Sequence, residues 1–160
     1  VLAVIKHFAG YGAQPEGFDA HNYYGRFADL SSEEFAVHVD AFRGALKANV
    51  AGVMPAYPIL RGPEIGGKPL EPVGAGFSKL LLDDLLRQEL GFRGILISDW
   101  AITQDCPEPC RNPTADNPQT PADIATSWGV EELSKPERFA LGMAAGLDQF
   151  GGDIPPSAQY

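Results

Sequence analysis

Basic residues are scarce in this chain. Across 160 residues, 12 Lys and Arg stand against 21 Asp and Glu, for a formal net charge of -9. That balance argues against nucleic acid and anionic membranes as partners, because both demand basic patches. Long apolar runs are missing too, and none approaches the roughly 20 residues of a membrane span. No basic segment precedes the apolar residues 1–5, so they do not read as a signal peptide. The chain opens inside what reads as a buried strand, so its natural N-terminus and any targeting signal are expected upstream. Cysteine is limited to Cys106 and Cys110, with no second Cys or His pair nearby to complete a metal site. Their spacing, Cys-Pro-Glu-Pro-Cys, suits a local disulfide staple and equally leaves room for two free thiols. A disulfide implies an oxidising compartment, periplasmic or secreted; free thiols leave the cytoplasm open. Gly10-Tyr11-Gly12 lacks the third glycine and the immediate helix of a dinucleotide fingerprint. No cofactor and no metal are expected, and there is no internal repeat.

What remains is an ordinary globular composition, 44% hydrophobic and 21% charged. A domain of this size buries about 70% of its unfolded surface. Four short apolar segments stand out: Val1–Ile5, Gly52–Tyr57, Gly94–Ser98 and Gly146–Phe150. Near-continuous apolar runs of this length suit strands buried on both faces of a parallel sheet. Pro55 should end the regular part of the second near Met54. Helical patterns separate the strands. Ser31 and Glu34 have capping-box spacing ahead of Phe35, Val39, Phe42 and Leu46. Ser78 opens a second helix, with Leu81, Leu82, Leu85, Leu86 and Leu90 on one face and Gly91 as its C-terminal cap. Pro136 lies near the start of a third, which Gly146 ends. Alternation of strand and helix predicts an α/β fold. Residues 10–30, 59–77 and 101–133 read as long irregular loops after the strands, where such folds place their sites.

Polar residues gather where the apolar strands stop. Lys6 and His7 end the first, Tyr57 closes the second, and Asp99 and Trp100 end the third. In a parallel sheet those ends share one rim. Carboxylate plus aromatic is a common sugar-binding combination: the ring packs on the C–H face of a pyranose and polar groups bond its hydroxyls. An ionised Asp99 can attack an anomeric carbon; it can equally cap the following turn. Lys6 and His7 can be site groups or solvated strand-end residues, and a lysine there also admits Schiff-base chemistry. Asp19 and His21 form either a dyad or a plain turn. His38 lies within a helix and reads as structural.

The combination resembles glycoside hydrolase family 3. Lys6-His7-Phe8-Ala9-Gly10 is similar to the Lys-His-Phe-x-Gly segment of that family, and Val53-Met54-Pro55-Ala56-Tyr57 to its Val-Met-x-Ser-Tyr. Leu86-Arg87-Gln88-Glu89-Leu90-Gly91-Phe92-Arg93-Gly94, running on to Ser98-Asp99-Trp100, resembles its Leu-Arg-x-Glu-x-Gly-Phe-x-Gly and Ser-Asp-Trp. Ala145-Gly146-Leu147-Asp148 resembles the Ala-Gly-x-Asp at its last barrel strand. The matches come in the family's order across nearly the whole chain.

The resemblance implies a (β/α)8 TIM-like barrel followed by an α/β sandwich domain. It implies that Asp99 is the nucleophile of a retaining β-glycosidase. Lys6, His7, Tyr57 and Trp100 then contact sugar, with Met54 beside them. The Gly-Tyr-Gly-Ala and Glu-Gly-x-Asp spacing resembles the β-glucosidase branch, in which the acid/base is a Glu of the following domain; Phe18 stands where Arg is usual. In the N-acetylglucosaminidase branch an Asp-x-His pair donates the proton. Asp19-Ala20-His21 is similar, two residues farther from Lys6-His7. An eight-unit barrel needs about 250 residues, so this chain is expected to hold about the last four β/α units. Its open sheet edges should pack against missing barrel segments or another copy of the chain. The expected ligand is a β-linked glucoside or oligosaccharide. A non-catalytic sugar-binding half barrel is the alternative for the chain by itself.

Overall fold

The computed structural model describes residues 1–152. Along the chain come β1 (Val4–Phe8), β2 (Phe27–Asp29), α1 (Ser32–Lys47), β3 (Gly52–Pro55), β4 (Ile59–Arg61), β5 (Glu64–Ile65) and β6 (Lys68–Pro69). A π-helical segment (Leu80–Glu89), β7 (Ile95–Trp100), α2 (Glu108–Arg111), α3 (Lys135–Ala145) and β8 (Gln149–Gly151) follow. The main sheet has the order β1-β3-β7-β8, with every neighbouring pair parallel. Spatial order equals chain order throughout. A doubly wound sheet has a point where the order reverses, and the described residues contain none.

Local chemistry explains the helices. Ser31 Oγ accepts from the Glu34 amide at 3.1 Å, and the Ser31 amide donates back to Glu34 Oε2 at 2.8 Å, a complete capping box. Phe35 and Val39 of α1 are buried, and the Phe42 ring meets Phe8 edge-on at 5.1 Å. Ser134 and Glu137 pair at the start of α3, the Ser134 amide and hydroxyl both donating to Glu137 Oε2 at 2.8 and 2.6 Å, and Gly146 ends the helix in the left-handed region at φ 119°.

The leucine-rich helix begins where Ser78 Oγ accepts from the Leu81 amide; the Glu71 carboxylate accepts from the Leu80 amide and the Ser78 hydroxyl. It winds as a π-helix, with the Leu90 amide reaching five residues back to the Leu85 carbonyl at 2.8 Å; beyond its end the Phe92 amide bonds the Leu86 carbonyl, six back, at 3.0 Å. Residues four apart share a face in either winding, so the leucine spacing cannot tell them apart. Leu81, Leu82 and Leu86 are wholly buried, each stabilising the fold by roughly 1.5–3 kcal/mol.

The strands are displaced from the apolar runs. The first runs Val4–Phe8 rather than Val1–Ile5, because Val4 to Phe8 find partners in Gly52 to Pro55 whereas Val1 and Leu2 are exposed. Lys6 and His7 therefore lie within the strand, not after it. β3 continues one residue past Met54, and the Ala56 amide then bonds the Phe8 carbonyl at 2.7 Å. β7 extends through Asp99 and Trp100. β8 starts at Gln149, since Gly146 caps α3 and Asp148 turns back toward Leu96.

Two of the expected irregular loops contain short strands. β2 and β4 form a parallel ribbon fastened by the Asp29–Arg61 fork, at 2.5 and 2.6 Å, and β5 and β6 form a hairpin. Residues 101–133 are mostly irregular yet firmly tied. Cys106 and Cys110 form a disulfide. The buried Arg138 guanidinium donates to the carbonyls of Thr103, Val130 and Glu131 and to the Asp105 carboxylate. Trp128 is also buried, its Nε1 donating to the Ala20 carbonyl at 2.8 Å. That bond joins this segment to the loop after β1.

Candidate active site

Asp99 lies at the C-terminal end of β7 and is only 6% exposed. A carboxylate in such a place needs partners, and it has them. His7 Nε2 of β1 lies 3.2 Å from Oδ2, and the Trp100 amide donates to Oδ1 at 2.8 Å. The same amide reaches the Tyr57 hydroxyl at 3.1 Å, and that hydroxyl hydrogen-bonds Asp99. Burial opposes ionisation of Asp99, but the bonds from His7, Trp100 and Tyr57 outweigh it and hold the carboxyl below the usual range. Tyr57 is pushed strongly upward, first by burial and then by the Asp99 charge, so it stays a neutral donor. β1, the bend after β3 and β7 thus supply one anionic oxygen pair with an imidazole, a phenol and an amide.

Ser98, wholly buried, anchors the strand end. Its hydroxyl donates to the Asp99 carbonyl at 2.8 Å and accepts from the Gly151 amide at 2.9 Å. Trp100 is 63% exposed, an indole open to a ligand beside the carboxylate.

Asp19 and His21 form a dyad. Asp19 Oδ1 receives His21 Nδ1 at 2.7 Å, the His21 amide at 3.0 Å and the Tyr11 hydroxyl at 3.2 Å. Burial works against the Asp19 charge, yet these bonds hold its carboxyl below the ordinary value. The dyad is not remote from Asp99. The His21 ring meets Tyr57 edge-on at 4.8 Å, and Tyr11 lies 4.9 Å from the His7 ring. Tyr11 therefore bridges the His7–Asp99 and Asp19–His21 pairs. Burial, then the charge of Asp19 and its hydrogen bond, push the Tyr11 phenol up to about 12.

Tyr11 is a residue that pattern reasoning passes over. The available signal was an aromatic four positions after His7, in a loop that must fold over the strand end. Lys6 is less engaged. It lies opposite Met54 in the β1–β3 register, and its exposed ammonium has no hydrogen-bond or ion-pair partner among the described residues. Met54 is half-buried beside it. Among the described residues, no group of three or more His, Cys, Asp or Glu side chains gathers to hold a metal.

Part of the recognisable sequence pattern is structural. Arg87 donates to the Gly94 carbonyl at 2.5 Å and to Asp148 Oδ2 at 2.8 Å, and that oxygen also accepts from the Leu96 amide at 2.8 Å. This lock joins the π-helical segment, the start of β7 and the approach to β8, at the opposite end of β7 from Asp99.

The fold and site define an α/β protein whose polar cluster sits at the carboxyl ends of parallel strands, where such folds bind ligands. The chain belongs to glycosyl hydrolase family 3: the family model "Glycosyl hydrolase family 3 N terminal domain" matches residues 1–120. It is 46% identical over 152 residues to a "Periplasmic beta-glucosidase/beta-xylosidase" of Dickeya chrysanthemi, covering 95% of this chain and 23% of that protein. It is 33% identical over 105 residues to a "Beta-hexosaminidase" of Nitrosomonas eutropha, covering 62% of this chain and 26% of that one. The crystal structure of a beta-glucosidase from Listeria innocua superposes with a TM-score of 0.60 at 27% identity, covering 94% of this chain and 16% of that one. The chain thus spans about a quarter of the length of the curated relatives it matches.

Proposed function

We propose that this chain is part of the catalytic barrel of a retaining, exo-acting β-glycosidase that removes terminal glucosyl residues from β-glucosides or β-glucan oligosaccharides. The observation that carries the proposal is Asp99. It is buried at a strand's carboxyl end, held ionised by His7, Tyr57 and the Trp100 amide, and flanked by an open indole. In this reading Asp99 attacks the anomeric carbon as the glycosidic C–O bond breaks and the aglycone leaves with a proton from the general acid; water, deprotonated by that same group, then attacks the glycosyl-enzyme and frees Asp99 and the sugar. Lys6 and His7 bond sugar hydroxyls, Tyr57 fixes the nucleophile, and Trp100 forms a wall against the ring, with Met54 alongside. A mechanism-based fluorinated glycoside should label Asp99 in the full-length protein; a label elsewhere, or none, removes the assignment.

We read the chain as about four β/α units of an eight-unit barrel, its C-terminal part, the barrel being the family's N-terminal domain. Supporting this are the parallel strands in unreversed chain order and the small share of each relative that is matched. Further barrel strands then continue the sheet at β1 and β8, and the proton donor lies outside the chain. A periplasmic or secreted setting is supported by the disulfide and by the periplasmic relative.

A second reading is favoured by a specific observation, the formed Asp19–His21 pair packed on Tyr57. It makes the protein a β-N-acetylhexosaminidase whose dyad donates the proton. Under it, Asp19→Ala and His21→Ala in the full-length protein abolish cleavage of poor leaving groups and spare activated aryl glycosides. Under the glucosidase reading cleavage of poor leaving groups persists in both variants, since their proton donor lies elsewhere.

A further inference from the structure

A cleft of about 450 Å³ opens beside the dyad, outside the Asp99 cluster. One wall is Asp19, His21 and Asn22, from the loop after β1; the other is Gln119, Thr120 and Ile124, from the segment after β7. The geometry points to this cleft as the binding place of the sugar residue next to the one held at Asp99, which in an exo-acting glycosidase is the leaving group. The inference rests on the proposed function and adds a ligand class to it: an uncharged, hydroxyl-rich ring rather than a flat aryl group.

Position carries the argument first. His21 faces the cleft and also meets Tyr57 edge-on at 4.8 Å, and Tyr57 bonds Asp99. The cleft therefore shares His21 with the side chains packed around the nucleophile. Its lining comes second. The lining combines two amides, Asn22 and Gln119, with the Thr120 hydroxyl, the Asp19 carboxylate and apolar Ile124. Amides serve both as donors and acceptors, which suits sugar hydroxyls. The Gln119 Nε2 is shielded from solvent and has no hydrogen-bond partner among the described residues. An unmatched donor at a cleft is an offer to a ligand oxygen.

Preorganisation comes third. Trp128 Nε1 holds the Ala20 carbonyl, just before His21, and Thr126 Oγ1 holds the Trp100 carbonyl at 3.0 Å. Asp123 caps Thr120 through both its hydroxyl and its amide. The two walls are thus tied to each other and to β7 before any ligand arrives, which lowers the ordering cost of binding.

The test uses the full-length protein with two substrates, a β-linked glucose disaccharide and nitrophenyl β-glucoside. Asn22→Ala and Gln119→Ala should each lower kcat/KM for the disaccharide by about three- to ten-fold, the worth of one hydrogen bond, with a smaller effect on the aryl substrate. Equal losses on both substrates, or none on the disaccharide, overturn the inference. A second readout does not depend on leaving-group chemistry. If the cleft binds sugar, added glucose or disaccharide should capture the glycosyl-enzyme, and both variants should lower the ratio of transfer to hydrolysis. An unchanged ratio counts against the cleft. Failure of the underlying reading looks different: wild type then cleaves neither substrate, or Asp99 takes no label from the fluorinated glycoside.

Discussion

Tyr57→Phe removes one oxygen from a buried position and leaves the ring. Its hydroxyl hydrogen-bonds the Asp99 carboxylate and accepts from the Trp100 amide. The amide is not orphaned, because it still reaches Asp99 Oδ1 at 2.8 Å. The loss is therefore one charge-assisted bond to an anion that is 6% exposed. Such bonds contribute about 1.5–3 kcal/mol. The lower half of that range applies here, since His7 continues to bond Oδ2. The pH dependence follows from the direction of the Asp99 shift. Its carboxyl is depressed in the folded state, so it stabilises the fold above the unfolded carboxyl value of about 3.9. That contribution disappears as pH falls through the lower folded value. Urea unfolding should place the variant about 1.5–2 kcal/mol below wild type at pH 7, and the gap should narrow steadily under acid. A gap that is absent at pH 7, or that widens on acidification, refutes the account of how Asp99 is held.

Asp99→Asn in the full-length protein should reduce kcat/KM on an aryl glucoside by at least about a thousandfold while binding persists, as for removal of a nucleophile; near-normal turnover contradicts the assignment. Arg138→Met strips the donors from the buried carbonyls of Thr103 and Val130, so hydrogen exchange across residues 101–133 should rise in line with a loss of about 2–5 kcal/mol. Exchange unchanged within a factor of two shows that the arginine does not anchor the segment. The 160-residue chain by itself should give no robust turnover of an aryl glucoside, because a retaining site needs two carboxyl groups roughly 5–5.5 Å apart and a proton donor among them. Steady product formation by the purified chain would be decisive against that expectation.

Much of the architecture was legible because it rests on local chemistry. Ser31 and Glu34 announce α1 by their spacing, and the Ser134–Glu137 pair announces α3 equally, although Pro136 draws the eye first. Of the polar residues closing the apolar runs, His7, Tyr57, Asp99 and Trp100 do meet, since a parallel sheet sends those ends to one rim, while Lys6 stands apart. Strand limits were less legible. Val1 and Leu2 are as apolar as Val4 and Ile5, and only pairing with Gly52 and its neighbours selects the strand. Trp128 and Arg138 carried no readable signal of their roles, because each acts on groups distant in sequence, Trp128 reaching back to Ala20 and Arg138 to Thr103.

The sequence by itself determined the alternation of strand and helix, the helix caps and the identity of the carboxylate at the end of β7. These depend on side-chain spacing and on bonds between residues a few positions apart. Tertiary structure alone decided that Cys106 and Cys110 are joined, that Asp19 and His21 pair rather than merely turn the chain, and that Tyr57 and Tyr11 link that pair to Asp99. The physical reason is that a buried charge is set by whatever surrounds it. His7 comes from β1, Tyr57 from the bend after β3 and Trp100 from β7, and only packing those strands side by side gives Asp99 the partners that keep it ionised.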